Sequence, residues 1–481
     1  MQRHANYIGG QWCAPVANSY YQTRNPASPA EVLGEYPRSS IHEAEAALKA
    51  AADARLGWSE TPVPQRSAII QQFARLLAQS KDELARIVTL EQGKALCEST
   101  GEVLRAATEA TFAAGEGMRL SGHTFPSERA GLTCFTVLEP LGVVAAITPW
   151  NFPVVSAVRK IAPALACGNT VVFKPASLTP WSAVYVTRLF EKASLPAGVL
   201  NLVVGPGSAV GERLVSDPRV RGISFTGSTD VGMHIYERAA SHMAKVQLEL
   251  GGKNPAVVFE CDDLDGAAQE IVSAAFLCSG QRCTALSRVI VEDSQADTLA
   301  QRLVARIKKI RVGNGLDPQT TMGPLVSKQQ METVISYVRK GHEAGATLLA
   351  GGTALVKAPE SEGYFFAPAL FDHVPANSPL ALEEIFGPVL PIIRVRDANE
   401  AIQVANGTRY GLAAAVFTKN MHFIHEFVRR VESGMVHVNH GTASQAHIPF
   451  GGVKDSGQGS YSIGPTVKDA FTNLKTVYIR W

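Results

Sequence analysis

The amino-acid sequence predicts an α/β fold built on parallel sheets, and three observations carry that prediction. From residue 142, short β-branched runs alternate with helix-length segments: Val143–Ile147, Thr170–Phe173, Leu200–Val204, Ile223–Phe225 and Val246–Leu250. Such runs mark strands buried on both faces and joined by crossover helices. A second alternating series begins near Pro255–Phe259, passes through a helix into Cys283, and continues with Arg288–Val291, Leu299–Ile310 and Ala346–Leu349. Finally, 481 residues are too many for one ordinary core, so two or three domains are expected.

In chain order, the first third starts helical. Ile69, Phe73, Leu76 and Leu77 recur at helical spacing, and Ser80-Lys81-Asp82-Glu83 reads as a capping box opening a second helix with Leu84, Ile87 and Val88 inward. Open parallel sheets bind ligands beyond the carboxyl ends of their strands. Asn151, Lys174, Gly227 and Glu249 all fall at or just after a predicted strand end, so they converge on one edge. Gly251-Gly252 is the expected domain boundary, which sets Glu249 and Cys283 on opposite sides of a cleft of the kind that takes small molecules. Leu132–Leu138 and Thr476–Trp481 alternate like strands.

Composition narrows the function classes. A charged fraction of 18% against 46% hydrophobic, with a net charge of +2, describes a globular chain without the basic excess that nucleic acid or anionic lipid would call for. Seven scattered cysteines with no Cys-x-x-Cys pair predict no metal site and a reducing compartment, the cytoplasm. The N-terminal segment lacks an apolar signal region, and no stretch approaches the roughly 20 apolar residues of a membrane helix. Small molecules and copies of the chain itself are the expected partners.

Three motifs point to chemistry. Cys283 stands in Ser279-Gly280-Gln281-Arg282-Cys283-Thr284, where Gly280 and Thr284 are small enough to admit a carbonyl compound. A thiol attacks as the thiolate and needs a base or positive surroundings. Glu249, in Leu248-Glu249-Leu250-Gly251-Gly252, supplies a carboxylate whose pKa burial would raise. Asn151, in Thr148-Pro149-Trp150-Asn151-Phe152-Pro153, offers an amide donor for an oxyanion. Each has an ordinary alternative: a buried core cysteine, a structural ion pair, a turn asparagine.

These motifs, in this order and with Phe173-Lys174-Pro175, Phe225–Thr229, Glu384–Pro388 and Pro449–Gly452, resemble the NAD(P)-dependent aldehyde dehydrogenases over essentially the whole chain. The resemblance implies a Rossmann-like cofactor domain (1–120 and 140–251), a second α/β catalytic domain (252–450) and a small β arm (121–139 and 465–481) that pairs subunits into a homodimer or homotetramer, with an edge strand within one monomer as the alternative. It makes Cys283 the nucleophile, Glu249 the base for thioester hydrolysis and Asn151 the oxyanion donor, with Lys160 assisting deacylation unless it is a plain surface lysine. It assigns Thr148, Trp150, Lys174, Ser177, Gly227, Ser228, Glu384 and Phe386 to the cofactor, and reads the competing glycine-rich stretch Gly205–Gly211 as a turn beside the adenine. Ser177 stands where NAD-preferring relatives carry a glutamate that repels a 2′-phosphate, so NAD or NADP is expected.

Substrate assignment by resemblance rests on Arg159, placed where succinate-semialdehyde dehydrogenases grip a distal carboxylate, with a structural salt bridge as the alternative. The second arginine of those enzymes is replaced by Leu277, and Ala285 breaks their Cys-x-Cys pair. The polar segment 438–449, with His440, Ser444, Gln445 and His447, points to a polar aldehyde. Tyr461 replaces the family's acidic proton relay. The expected reaction is oxidation of a small polar or acidic semialdehyde such as succinate semialdehyde. The alternatives are a hydroxy- or phospho-aldehyde, or a catalytically silent structural relative.

Overall fold

The first β-branched series forms the parallel centre of an eight-stranded sheet. Its strands, Val143–Ile147, Thr170–Lys174, Leu200–Leu202, Val220–Thr226 and Lys245–Glu249, lie in the spatial order third, second, first, fourth, fifth. The computed structural model describes residues 2–355 and 363–481. Antiparallel strands Asn6–Ile8 and Gln11–Cys13 close one edge, and Gly457–Gln458 pairs with Leu248 and Glu249 at the other. The order reverses between Val143–Ile147 and Val220–Thr226, and a crevice at such a switch point is where these sheets take ligands. The chain segments leaving the sheet there begin with Thr148 and Gly227.

Val143–Ile147 and Thr170–Lys174 are buried throughout, which is why they read as unbroken apolar runs. Helices Val63–Gln79, Lys81–Gln92, Leu96–Gly117 and Pro153–Ala166 share a core in which Phe73 stacks on Phe190 at 3.6 Å. Leu84, Ile87 and Val88 point inward as the pattern requires. The capping box at Ser80 does not form. Ser80 is squeezed between two helices, its N–H is taken by the carbonyls of Leu76 and Leu77, and Glu83 instead accepts from the Tyr185 hydroxyl at 2.6 Å. A capping box forms at Ser40 and Glu43, opening Ile41–Glu60, whose inward face is half alanine and gives little hydropathic contrast.

The second series builds a seven-stranded sheet in the order Thr347–Ala350, Ala369–Asp372, Val389–Val395, Leu286–Glu292, Asn254–Val258, Ala413–Phe417 and Met435–Val438. Every pair is parallel except the first. Outside both sheets, Thr472–Arg480 runs antiparallel to Leu132–Pro140, which also pairs Thr124–Phe125. Leu474, Tyr478 and Trp481 on this ribbon are exposed.

Candidate active site

Cys283 follows a tight left-handed turn. Cys278, Ser279 and Gly280 have φ of 54°, 57° and 69°, a conformation costing about 1–2 kcal/mol for each non-glycine residue. Polar anchors hold it: the Cys278 N–H donates to Glu98 Oε1 (2.6 Å), and Ser279 Oγ donates to the Gly323 carbonyl (2.7 Å). Gln281 Nε2 donates to the Cys278 carbonyl and Gln281 Oε1 accepts from the Val326 N–H. A Cβ at Gly280 would lie 2.4 Å from the Gly387 carbonyl oxygen, so its small size serves backbone packing rather than substrate entry. Beyond the turn, Asn254 Nδ2 donates to the carbonyls of Cys283 (2.7 Å) and Ala285 (2.8 Å).

Asn151 is fixed by a buried ion pair. Lys94 Nζ donates to the Asn151 carbonyl (2.6 Å) and to Glu102 (2.7 Å), and both charged side chains have 0% exposure. The other Glu102 oxygen accepts from the N–H groups of Val154 and Val155, amides of a first helical turn that have no partner within the helix. Asn151 Nδ2 donates to the Gln281 carbonyl at 2.9 Å, tying the end of Val143–Ile147 to the cysteine loop.

Glu249 ends the last parallel strand of the first sheet. Burial pushes its carboxyl up to about 7, while the charges of Lys160 and Arg159 pull the other way; its Oε2 has no protein partner among the described residues. Lys160 is fully buried, not a surface lysine. Its Nζ donates to Thr226 Oγ1 (2.7 Å) and Ser224 Oγ (3.3 Å), and burial lowers its pKa to about 7 against the pull of Glu249. Burial and the Glu249 charge raise the Cys283 thiol to about 11, with Arg159 and Arg282 opposing them.

Cys283, Glu249 and Asn151 line one cavity of about 610 Å³. Trp150, Gly227, Ser228, Glu384 and Phe386 share its wall, the Phe386 ring meeting Trp150 edge-on at 5.4 Å. Glu384 Oε1 accepts from the Gly252 N–H (2.8 Å), and burial raises its carboxyl to about 7. Both boundary glycines are needed for close approach: a Cβ would lie 2.2 Å from Glu384 Oε2 at Gly251 and 2.8 Å from the Cys283 carbonyl at Gly252. At Gly227 it would strike the Phe225 ring at 2.4 Å. Ser228 begins Thr229–Ala240 without capping it by its side chain, and the first-turn amides have no partner within the helix.

Lys174 and Thr148 lie along the same carboxyl edge rather than in the cavity wall. Lys174 is buried, its pKa lowered by burial to about 8, and its carbonyl accepts from the Thr148 N–H. Ser177 is exposed three residues on. The Gly205–Gly211 stretch is more wound than the expected turn: Gly207–Gly211 makes a wide helical turn, and a Cβ at Gly211 would meet the Lys174 stem at 3.7 Å.

Arg159 lines the cavity and is also engaged in the salt bridge. Its Nε and Nη2 fork onto Glu109 at 3.0 and 2.7 Å, and it stacks over the Phe450 ring at 4.6 Å. Arg105 and Arg282 line the same cavity, as do Leu277 and Ser444. His440 and His447 are exposed and outside that wall; His440 bonds the neighbouring Gly441 carbonyl and packs on His437. Sequence reasoning missed Lys94, Asn254 and the charges of Leu96–Gly117. A signal for the latter existed. Glu98, Glu102, Arg105 and Glu109 recur at steps of four, three and four, which puts charge on the buried face of an alanine-rich helix.

Comparison with known proteins agrees with this arrangement. The model of the aldehyde dehydrogenase family matches residues 12–477. An alpha-ketoglutaric semialdehyde dehydrogenase of Bacillus subtilis (strain 168) is 40% identical over 478 residues, covering 99% of this chain and 98% of that protein. The NADP+-dependent succinate-semialdehyde dehydrogenase GabD of Escherichia coli (strain K12) is 39% identical, covering 95% and 94%. The crystal structure of an E. coli NADP-dependent enzyme, 37% identical, superposes with a TM-score of 0.97 over 100% of this chain and 98% of that one. The chain belongs to the aldehyde dehydrogenase family.

Proposed function

We propose that the protein oxidises a short semialdehyde bearing a distal carboxylate to the dicarboxylic acid, with NAD or NADP as oxidant, through a thioester on Cys283. The observation that carries this reading is that Cys283, Glu249, Asn151 and Arg159 line one cavity. The glycine edge at the switch point, the uncapped helix start after Ser228 and the buried Glu384 carboxylate fit a dinucleotide. Lys174, Ser177, Thr148, Trp150 and Phe386 complete that site, and a serine at 177 admits either cofactor.

Arg159 and Arg282 favour ionisation of Cys283, against burial and Glu249. The sulfur adds to the aldehyde carbon, and Asn151 Nδ2 with the Cys283 N–H holds the resulting oxyanion. Bound NAD(P)+ supplies the hydride acceptor that turns thiohemiacetal into thioester. Glu249 then takes a proton from water as it attacks the thioester carbon, the C–S bond breaks, and the acid leaves. Lys160, buried beside Thr226 and Ser224, biases the proton affinity of Glu249.

Two guanidinium groups, Arg105 and Arg159, face one carboxylate, Glu109. The net single positive charge suits a monoanionic substrate better than a phosphate dianion. The named activities of the relatives, on alpha-ketoglutaric and succinate semialdehydes, fall in that class. We assign residues 1–120 and 140–251 to cofactor binding, 252–450 to catalysis, and 121–139 with 465–481 to an arm that pairs subunits through its exposed ribbon, as a dimer or tetramer. Steady-state kinetics on carboxylated and plain aldehydes with each cofactor test the reading. Turnover should favour the carboxylated series, and Cys283→Ser should abolish it. Equal turnover of Cys283→Ser, or no activity of the unaltered protein on any aldehyde, would refute it.

A further inference from the structure

Glu109 leaves part of the guanidinium pair in the cavity unspent. Its Oε1 accepts from Arg105 Nε and Arg159 Nη2, both at 2.7 Å, and its Oε2 from Arg159 Nε at 3.0 Å. Arg105 Nη1 donates to the Ser444 carbonyl, within the polar segment 438–449. Arg105 Nη2 is buried and has no hydrogen-bond partner among the described residues. A buried charged donor is costly to leave unmet, and its natural complement is an anionic acceptor. Arg105, Arg159 and Ser444 all border the cavity that holds Cys283.

We propose that Arg105 is a second specificity-determining residue: its guanidinium, one nitrogen of which is left without a partner, adds a second positive charge beside Arg159 for the distal carboxylate of the semialdehyde, while its Nη1 holds the Ser444 segment at the cavity wall. The inference rests on the carboxylated-substrate reading above. The second cationic contact comes from the helix Leu96–Gly117, which also holds the cysteine loop through Glu98. Glu109 acts as the shared brace that keeps both guanidinium planes fixed, so the substrate carboxylate meets a preformed pair.

The test compares succinate semialdehyde with butanal, which has the same number of carbons and no charge. For each variant the ratio of the two kcat/KM values is measured, together with succinate binding by calorimetry. Arg105→Met should lower the ratio by about 10- to 100-fold, the loss typical of one charge-assisted hydrogen bond, and weaken succinate binding in parallel. Arg105→Lys should recover part of both. If Arg105→Met depresses both aldehydes equally, or leaves the ratio and succinate binding intact while Arg159→Met collapses them, Arg105 is only a brace and the proposal is overturned. If the unaltered protein itself shows no preference for the charged aldehyde, it is the substrate reading that fails.

Discussion

Replacing Lys94 by methionine should damage the protein in two separable ways. Lys94 and Glu102 meet at 2.7 Å with no exposure, and at an effective dielectric of about 20 two unit charges at that separation attract by about 6 kcal/mol. Desolvation offsets much of this, but removing one partner strands the other, at a cost of about 3–5 kcal/mol. Burial works against the Lys94 charge, yet Cys278 and Glu102 hold its pKa above the ordinary value, so the ammonium is kept. An unfolding entropy of about 2.1 cal/mol/K per residue sums to about 1 kcal/mol/K over 481 residues, so a single cooperative transition would move down by about 3–5 °C. The double variant Lys94→Met/Glu102→Gln keeps an acceptor for the Val154 and Val155 amides without a stranded charge, and should recover most of the Tm. It should not recover catalysis, because the Asn151 carbonyl has still lost its anchor; misplacing one oxyanion donor costs about 100-fold or more in kcat. Calorimetry and steady-state kinetics on both single variants and the double form the cycle. Additive Tm losses, or full recovery of kcat in the double variant, would refute the reasoning.

The remaining predictions concern protons, cofactor and assembly. Glu249 accepts protons only when ionised and its carboxyl is raised to about 7, so kcat limited by thioester hydrolysis should climb as pH rises through about 7. Lys160→Met, which removes the charge that most lowers that value, should move the limb to higher pH; a shift the other way contradicts the assignment. Between about 7 and about 11, where Glu249 is charged and the Cys283 thiol is not, Glu249→Gln should speed iodoacetamide alkylation of Cys283; slower labelling would mean the carboxylate ionises the sulfur directly. Ser177→Glu should cut kcat/KM with NADP about tenfold or more relative to NAD, the penalty of setting a carboxylate against the 2′-phosphate. Ending the chain at Phe471 removes Thr472–Arg480 and should leave a smaller species in size-exclusion chromatography with light scattering; an unchanged mass would take the arm out of assembly.

The parallel strands were legible because burial on both faces leaves the same trace in any sequence, and the observed boundaries differ from the expected ones by no more than three residues in the first sheet. Glu249 and Asn151 stood out through glycine- and proline-marked motifs at or just after strand ends, and Cys283 through a glycine-marked loop ahead of Leu286–Glu292. Lys94, Glu102 and Arg105 did not, because they act through partners remote in sequence: Lys94 reaches Asn151 and Arg105 reaches Ser444. Ser80 misled because a capping signature describes local preference, and a preceding helix had already claimed the backbone it would use. His440 and His447 misled because polarity in a loop does not say which way a side chain faces. Arg159 presented two readings as rivals, and the fold lets it line the cavity and bridge to Glu109 at once.

The sulfur hangs from a loop feeding one sheet, and the carboxyl group closes the last parallel strand of the other, with Gly251-Gly252 as the covalent join between them. Reactivity is thereby a property of a seam. A slip of one ångström there is enough to lower the rate of a positioned reaction by about two orders of magnitude without altering a reacting atom. Substitutions that stiffen or loosen this join are therefore a means of tuning turnover from outside the reaction chamber.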